Sequence, residues 1–346
     1  MSIIAAYLDY KSAAIDVREK FSFTAGKIRE ILRNIKEDPC ISGAVLLSTC
    51  NRTELYISAG EAGSINPAKI LCRQAGMDKT DESLMLPLFN IKHDTEAILH
   101  LMEVACGLQS MVLGEDQIIT QVKNAVLTAR EEKAADAELE TIFRLGITAA
   151  KKAKTQVKIK AVPSSAAENA IADLSEKYNM SDKKVLVIGN GEIGRLCCKK
   201  LVELGARVTI TLRTYRHGET IVPAGCSTIP YDGRAEFMLN TDIVISATAS
   251  PHFTITYDMV KKLGRKPELF VDLALPRDIE PAVSEIPEIL CYNLDMFSTD
   301  YTQLNLKEIN EIKEIINHYK LQYEKWSSFH TQAAPAGKST FAGAKK

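Results

Sequence analysis

The 346-residue chain lacks any unbroken run of the ~18 apolar residues that a membrane crossing requires. Its opening segment, MSIIAAYLDYKSAAIDVREK, lacks the basic flank, long apolar stretch and small-residue cleavage site of a secretory leader. A cytoplasmic protein with no membrane partner is therefore expected. The eight cysteines, at 40, 50, 72, 106, 197, 198, 226 and 291, include no CxxC pair and no partnered histidine spacing, so neither a disulfide framework nor a metal site is expected. There is also little net charge: 43 basic against 44 acidic residues give −1, too little to draw a polyanion in from a distance. Any nucleic-acid contact must rest on local charge. One such place lies between Glu140 and Glu168, an interval without acidic residues that holds Arg144, Lys151, Lys152, Lys154, Lys158 and Lys160. On charge alone, a solvated helix face is the plainer explanation of these lysines.

What is present is an ordinary globular composition, 46% hydrophobic and 25% charged, over a length that suits about two domains of ~150 residues. No internal repeat is visible. Residues 1–160 alternate short apolar strands (IIAAYLDY, AVLLSTC, ELYISAG) with amphipathic helices near 24–36 and 66–75. That order suits an α+β sheet with helices on one face. Helices follow over 93–107, which ends at Gly107 as a natural C-cap, then over 117–133 and about 139–160. Pro163, Ser164 and Ser165 mark a boundary between domains. Over 161–300 the apolar runs KVLVIG, ARVTITLR, DIVISAT, ELFVDLAL and EILCYNLD have the continuous hydrophobicity of strands buried on both faces of a parallel sheet. Residues 301–330 form a long charged helix with Ile309, Ile312, Ile316, Tyr319 and Tyr323 at three- and four-residue steps, and 331–346 are a small, polar tail without pattern. The chain is thus read as an α/β protein: an α+β (ferredoxin-like) domain, a doubly wound Rossmann domain and a long C-terminal helix.

In VLVIGNGEIGRL, Gly189, Gly191 and Gly194 close a strand and open a helix, with Asn190, Glu192 and Ile193 between them. Backbone amides and the positive helix end can then face a pyrophosphate without intervening side chains, which makes this a dinucleotide site. The second strand ends in TLRTYRHG rather than in a carboxylate for the ribose hydroxyls. Arg213 and Arg216 there can meet a 2′-phosphate, which favours NADPH over NADH.

Cys50 stands apart from the other cysteines because it lies where an apolar strand meets a polar cluster, Asn51, Arg52, Thr53 and Glu54. A thiol at such a strand end can open into a cleft, and a nearby cation would lower its pKa and enlarge the nucleophilic thiolate fraction. Arg52 could serve that thiolate or bind a carboxylate bidentately. For any single cysteine taken alone, burial without reactivity is the plainer explanation.

The strings STCNRTELY, GLQSMVLGEDQIITQVKNA, PSSAAENA, VIGNGEIG and VDLALPRDIEP, in this order over residues 1–330, resemble the glutamyl-tRNA reductase family. The resemblance implies an NADPH-dependent enzyme that reduces glutamyl-tRNA(Glu) to glutamate-1-semialdehyde, the first step of tetrapyrrole synthesis, through a thioester on Cys50. It implies that Thr49, Asn51, Arg52, Ser110, Glu115, Asp116, Gln117 and Gln121 line the glutamate pocket and raises His100 to a second catalytic candidate. By helical spacing alone, His100 reads as a satisfied, half-buried histidine. Family membership further implies hand-over of the aldehyde to glutamate-1-semialdehyde aminomutase and a homodimer built through a helical domain beyond the long helix. The helix stripe over 305–329 could itself pair with a second copy. The chain departs from the family pattern at Tyr10, Ala14, Gln109 and Asp116. Two alternatives remain at this point: a generic NADPH-dependent reductase of a small substrate with a structural Cys50, and a nucleotide-binding scaffold without turnover.

Overall fold

The computed structural model describes residues 2–60, 65–115, 117–159, 166–213, 221–250, 252–297 and 305–333. The boundary tripeptide 163–165, the tail beyond 333, Lys160, Asp116 and Arg216 lie outside the described residues.

The first body contains β1 (Ser2–Asp9), α1 (Ile15–Arg18), α2 (Ala25–Lys36), β2 (Ile41–Ser48), β3 (Arg52–Ala59), α3 (Pro67–Gln74), α4 (Lys79–Met85), β4 (Asn90–His93), α5 (Asp94–Ala105), α6 (Gln117–Glu131) and α7 (Ala137–Gln156). Its sheet runs β2-β3-β1-β4 with every pairing antiparallel, the strand order of a ferredoxin-like fold. Polar caps fix the helix starts: Thr24 accepts the Lys27 N–H at 3.3 Å, Asn66 precedes Pro67 and accepts the Ala68 N–H at 3.0 Å, and Asp136 accepts the Leu139 N–H at 2.9 Å. α5 stops at Gly107, whose φ of +74° lets its own N–H reach Val104 O and the Leu108 N–H reach Glu103 O, both at 2.9 Å. These two bonds are those of a Schellman stop.

The second body contains α8 (Ala166–Lys177), β5 (Lys184–Ile188), α9 (Glu192–Glu203), β6 (Arg207–Leu212), β7 (Ser227–Pro230), α10 (Arg234–Phe237), β8 (Ile243–Ser246), α11 (Tyr257–Lys261), β9 (Leu269–Asp272) and β10 (Leu290–Asn293). Its sheet is wholly parallel in the order β10-β9-β8-β5-β6-β7, the doubly wound arrangement whose order reverses beside β5. Helices cover both faces, which explains why β5, β8 and β9 read as near-continuous hydrophobic runs.

The chain then returns to the first body through α12 (Leu306–Ala333). Ile309, Ile312, Ile316 and Tyr323 are buried, and α12 packs along α7 and α5, so the stripe proposed for a second copy is already covered within the chain. Burial of such side chains stabilises by about 1.5–3 kcal/mol each, and the Tyr323 hydroxyl additionally donates to the Glu138 carboxylate on α7. The helix face that the sequence assigns to dimerisation is therefore part of the first body's core.

Candidate active site

Cys50 occupies the tip of the β2–β3 hairpin. Ser48 pairs with Thr53, and the Thr49 N–H donates to Arg52 O at 2.9 Å, so the chain reverses over Cys50 and Asn51. The Thr49 hydroxyl fixes this turn by accepting the N–H groups of both Asn51 and Arg52 at 3.2 Å. Cys50 is half-buried, and with Tyr10 it packs against a hydrophobic cluster that joins Met111 of the first body to the core of the second. The nucleophile candidate thus sits where the two bodies meet. Its electrostatics differ from the expectation of a cation-lowered thiol. Burial pushes the thiol up to about 12, the Glu115 carboxylate adds to the rise, and the opposing pull of Arg18 and Arg52 is too weak to reverse it.

Arg52 is held differently from the sequence reading. Its side chain is 1% exposed, Nη1 donates to Glu54 at 2.6 Å, and Nη2 donates to the Gln109 carbonyl oxygen. Its charge is balanced inside the protein, and it anchors the loop over residues 107–115. Arg52, Glu54 and Tyr56 are successive same-face residues of β3, and all are buried. Glu54 accepts from the Tyr56 hydroxyl at 2.5 Å and lies 3.3 Å from His100 Nε2 on α5. Burial alone would raise the Glu54 carboxyl, but His100, Arg52 and the Tyr56 hydroxyl together hold it at about 2. His100 also stacks on Tyr7, with ring centroids 3.9 Å apart and 16° between planes. The structure thus places His100 in a buried carboxylate network, with Glu54 as its partner.

The loop over 107–115 carries Ser110, which is buried, and Glu115, which lies close enough to Cys50 to act on the thiol. A Gly114 N–H to Gly107 O bond of 3.1 Å closes this loop. A Cβ on Gly107 would lie 2.8 Å from Gly114 Cα, so the glycine is required by close approach as well as by its positive φ. The Tyr10 hydroxyl, at a position where the chain departs from the family pattern, donates to Ser110 O at 3.3 Å. Gln109, another departure, bonds Glu103 through its amide at 2.8 Å and accepts from Lys11 at 3.2 Å. Gln117 and Gln121 share one face of α6 and are half-buried. Asn51 is 5% exposed, and its Oδ1 has no hydrogen-bond partner among the described residues. A buried acceptor in that state calls for a donor from a ligand or from water.

In the second body, Gly189 has φ +108°, and a Cβ there would lie 2.4 Å from Ala247 O. A Cβ on Gly194 would lie 1.9 Å from Gly189 O, so this glycine sets the approach of α9 to β5. Gly191 caps α9 and has nothing within 4 Å of its would-be Cβ. An open approach to a helix N-terminus is what a pyrophosphate needs. Asn190 Oδ1 is buried without a partner among the described residues, Glu192 is exposed, and Ile193 packs on the second body's core. A cleft of about 730 Å³ runs beside α9, lined among others by Glu192, Arg195, Lys199, Ile221 and, from the first body, Gln117. Arg213, exposed at the end of β6, stands 4.8 Å from the Tyr231 ring centroid.

Two carboxylates that the sequence reading left without a role shape the loop after β9. Asp272 accepts the N–H groups of Ala274 (3.0 Å) and Ile279 (2.8 Å), and burial pushes its carboxyl up to about 7 despite those bonds. Asp278 accepts from the Ser246 hydroxyl at 2.7 Å and from both the N–H and the hydroxyl of Thr248, at 2.8 and 2.6 Å.

Fold and site together define an oxidoreductase that uses a nicotinamide cofactor: a parallel sheet with a pyrophosphate turn in the second body, and a thiol at a hairpin tip of the first. Comparison with known proteins specifies the family. The sequence pattern described as "Glutamyl-tRNAGlu reductase, N-terminal domain" matches residues 7–157, and that described as "Shikimate / quinate 5-dehydrogenase" matches residues 170–299. The chain is 65% identical over 334 residues to a probable multifunctional siroheme biosynthesis protein HemA of Ruminiclostridium josui, covering 96% of this chain and 64% of that protein's length. It is 44% identical over 330 residues to the glutamyl-tRNA reductase of Alkaliphilus oremlandii, covering 95% of this chain and 98% of that protein. Among solved structures, the glutamyl-tRNA reductase from Methanopyrus kandleri is 29% identical with a TM-score of 0.51, covering 95% of this chain and 81% of that one. The chain belongs to the glutamyl-tRNA reductase family.

Proposed function

We propose that this chain reduces glutamyl-tRNA(Glu) to glutamate-1-semialdehyde with NADPH, the entry step of tetrapyrrole synthesis, with Cys50 as the acyl acceptor. The observation that carries the reading is the seat of Cys50: a hairpin-tip thiol beside Glu115, packed on the hydrophobic cluster that runs from Met111 into the core of the nucleotide body. In the reaction, Cys50 Sγ attacks the ester carbonyl and the terminal tRNA hydroxyl leaves, forming a thioester. The nicotinamide, when bound, supplies the hydride that takes the thioester carbon to the aldehyde, and the Cys50 thiolate departs. A thioester suits this chemistry because sulfur donates less electron density to the carbonyl than oxygen does and leaves as a stable anion.

Attack requires the Cys50 proton to be removed, since burial holds the thiol neutral. Entry of the substrate ester admits polar groups and displaces the apolar cover that raises the thiol. Asn51 Oδ1 is the acceptor that meets the substrate ammonium, and Ser110, Gln117 and Gln121 offer directional hydrogen bonds around the glutamate. Arg52, buried and committed to Glu54 and the Gln109 carbonyl, acts from behind the pocket by holding the loop that carries Ser110. His100 keeps Glu54 ionised and thereby keeps Arg52 and the loop over 107–115 in place.

Arg213 at the β6 end selects the 2′-phosphate of NADPH. Lys151, Lys154 and Lys158 are exposed along and just beyond the end of α7, and they supply phosphate contacts for the tRNA. Hand-over of the aldehyde to an aminomutase belongs to the same reading, as does a cytoplasmic setting. Among the described residues, no helix is long and apolar enough to cross a membrane. The decisive experiment mixes the protein with charged glutamyl-tRNA and NADPH and measures aldehyde. Cys50→Ser is expected to abolish it while leaving the fold and NADPH binding intact. Undiminished turnover in that variant would overturn the role of Cys50.

A further inference from the structure

Two consecutive residues of the first body reach across to the second. Arg18, the last residue of α1, is 2% exposed, and its guanidinium is divided three ways. Nε donates to Ala13 O at 3.2 Å, Nη1 donates to Cys50 O at 2.9 Å, and Nη2 donates to the Asp295 carboxylate. Glu19 beside it accepts both the backbone N–H and Nε of Arg277 at 2.7 Å, and its second oxygen accepts Nη2 at 2.8 Å. Asp295 follows β10 and Arg277 follows β9, so both partners lie at the carboxyl edge of the parallel sheet, where nucleotides bind in folds of this order. The Arg277 loop is itself braced by Asp272 and Asp278.

We infer that Arg18 and Glu19 are a clasp that seats the nucleotide body over the Cys50 thiol, with Arg18 a positioning residue that holds the hairpin tip and the second body at once. The inference rests on the reading of Cys50 as acyl acceptor. Its physical basis is the distribution of charge. Within its own body Arg18 is offered the neutral carbonyls of Ala13 and Cys50, and its carboxylate partner at this site comes from the other body. A guanidinium buried without an anion is costly, whereas one opened to water is solvated. The closed arrangement therefore has charge partners across the joint, and the open one has water in their place. Such a joint can part to admit an acyl-tRNA end and re-form over the thioester, excluding water while reduction occurs. The bidentate Glu19–Arg277 pair fixes the angle of closure, which one point contact could not do.

The test uses the full chain and variants on the nucleotide side, Arg277→Ala and Asp295→Ala, which leave the residues around Cys50 unchanged. Two quantities are read: the iodoacetamide alkylation rate of Cys50, followed on its own peptide, and the partition of glutamyl groups between free glutamate and aldehyde at saturating NADPH. Each variant is expected to alkylate Cys50 about tenfold faster and to shift the partition towards glutamate by a similar factor, with NADPH affinity within about twofold of wild type. Arg277→Glu is expected to behave likewise, and adding Glu19→Arg is expected to restore both readings. Alkylation within about twofold of wild type in both alanine variants, or no recovery in the charge swap, overturns the clasp. If wild type forms no Cys50-linked glutamyl group, the proposed function fails, while the alkylation rates still decide the clasp.

Discussion

His100 Nε2 lies 3.3 Å from the same Glu54 oxygen that receives the Arg52 guanidinium. A histidine positioned this way supports a buried anion, and the Arg52 bound to that anion in turn holds the Gln109 carbonyl.

Replacing Glu54 by Gln leaves Arg52 buried without its counter-charge, and the expected loss is about 3–5 kcal/mol in urea unfolding. The pH dependence has a definite sign. The folded carboxyl is held at about 2, below its ordinary 4.5, so its contribution is present above 4.5 and is lost as pH falls towards 2. The stability advantage of wild type over Glu54→Gln should therefore shrink across that acid window. A constant gap would contradict the ionised network.

The Cys50 thiol, pushed up to about 12, should resist alkylation in the substrate-free protein near neutral pH and react faster as pH rises towards that value. Peptide mapping should show exposed Cys40 modified well before Cys50. Glu115→Gln removes one of the influences that raise the thiol, so Cys50 should be alkylated faster in that variant at the same pH. An unchanged rate would place Glu115 outside the thiol's field.

Two glycines of the pyrophosphate turn should fail in different ways. Gly194→Ala forces a Cβ to 1.9 Å from Gly189 O and should lower thermal stability and abolish NADPH binding together. Gly191→Ala meets nothing within 4 Å, so its melting temperature should stay near wild type while NADPH affinity falls. Fluorescence titration and thermal melts on the same samples separate the two. Equal melting temperatures for both variants would refute the packing role of Gly194.

Arg213→Ala should narrow the preference for NADPH over NADH by about tenfold, chiefly through a raised KM for NADPH. A variant with the wild-type cofactor ratio would assign the 2′-phosphate to other residues.

Most of the architecture was legible because it rests on local chemistry: short and unbroken apolar runs for the strands, three- and four-residue apolar steps for the helices, and Gly107 as a stop. β4 and β7 escaped because they are four-residue edge strands with mostly exposed residues, and β7 ends in Pro230. The positions of Cys50 and the glycine turn followed from motif and context. The commitment of Arg52 to Glu54 did not, although three polar residues at alternate positions of one strand, Arg52, Glu54 and Tyr56, were a readable sign of a buried polar face. Arg18 and Glu19 left no sequence signal. Their partners are 277 and 258 residues away, and only the fold brings them together.

Because α12 leaves the nucleotide body and lies back along α7, the helix by which the chain left the first body, both crossings between the bodies are anchored on the same neighbouring pair of rods. The nucleotide body is thus tied at both of its ends to one pair of adjacent helices, and a change that loosens α12 from α7 reaches both ties at once.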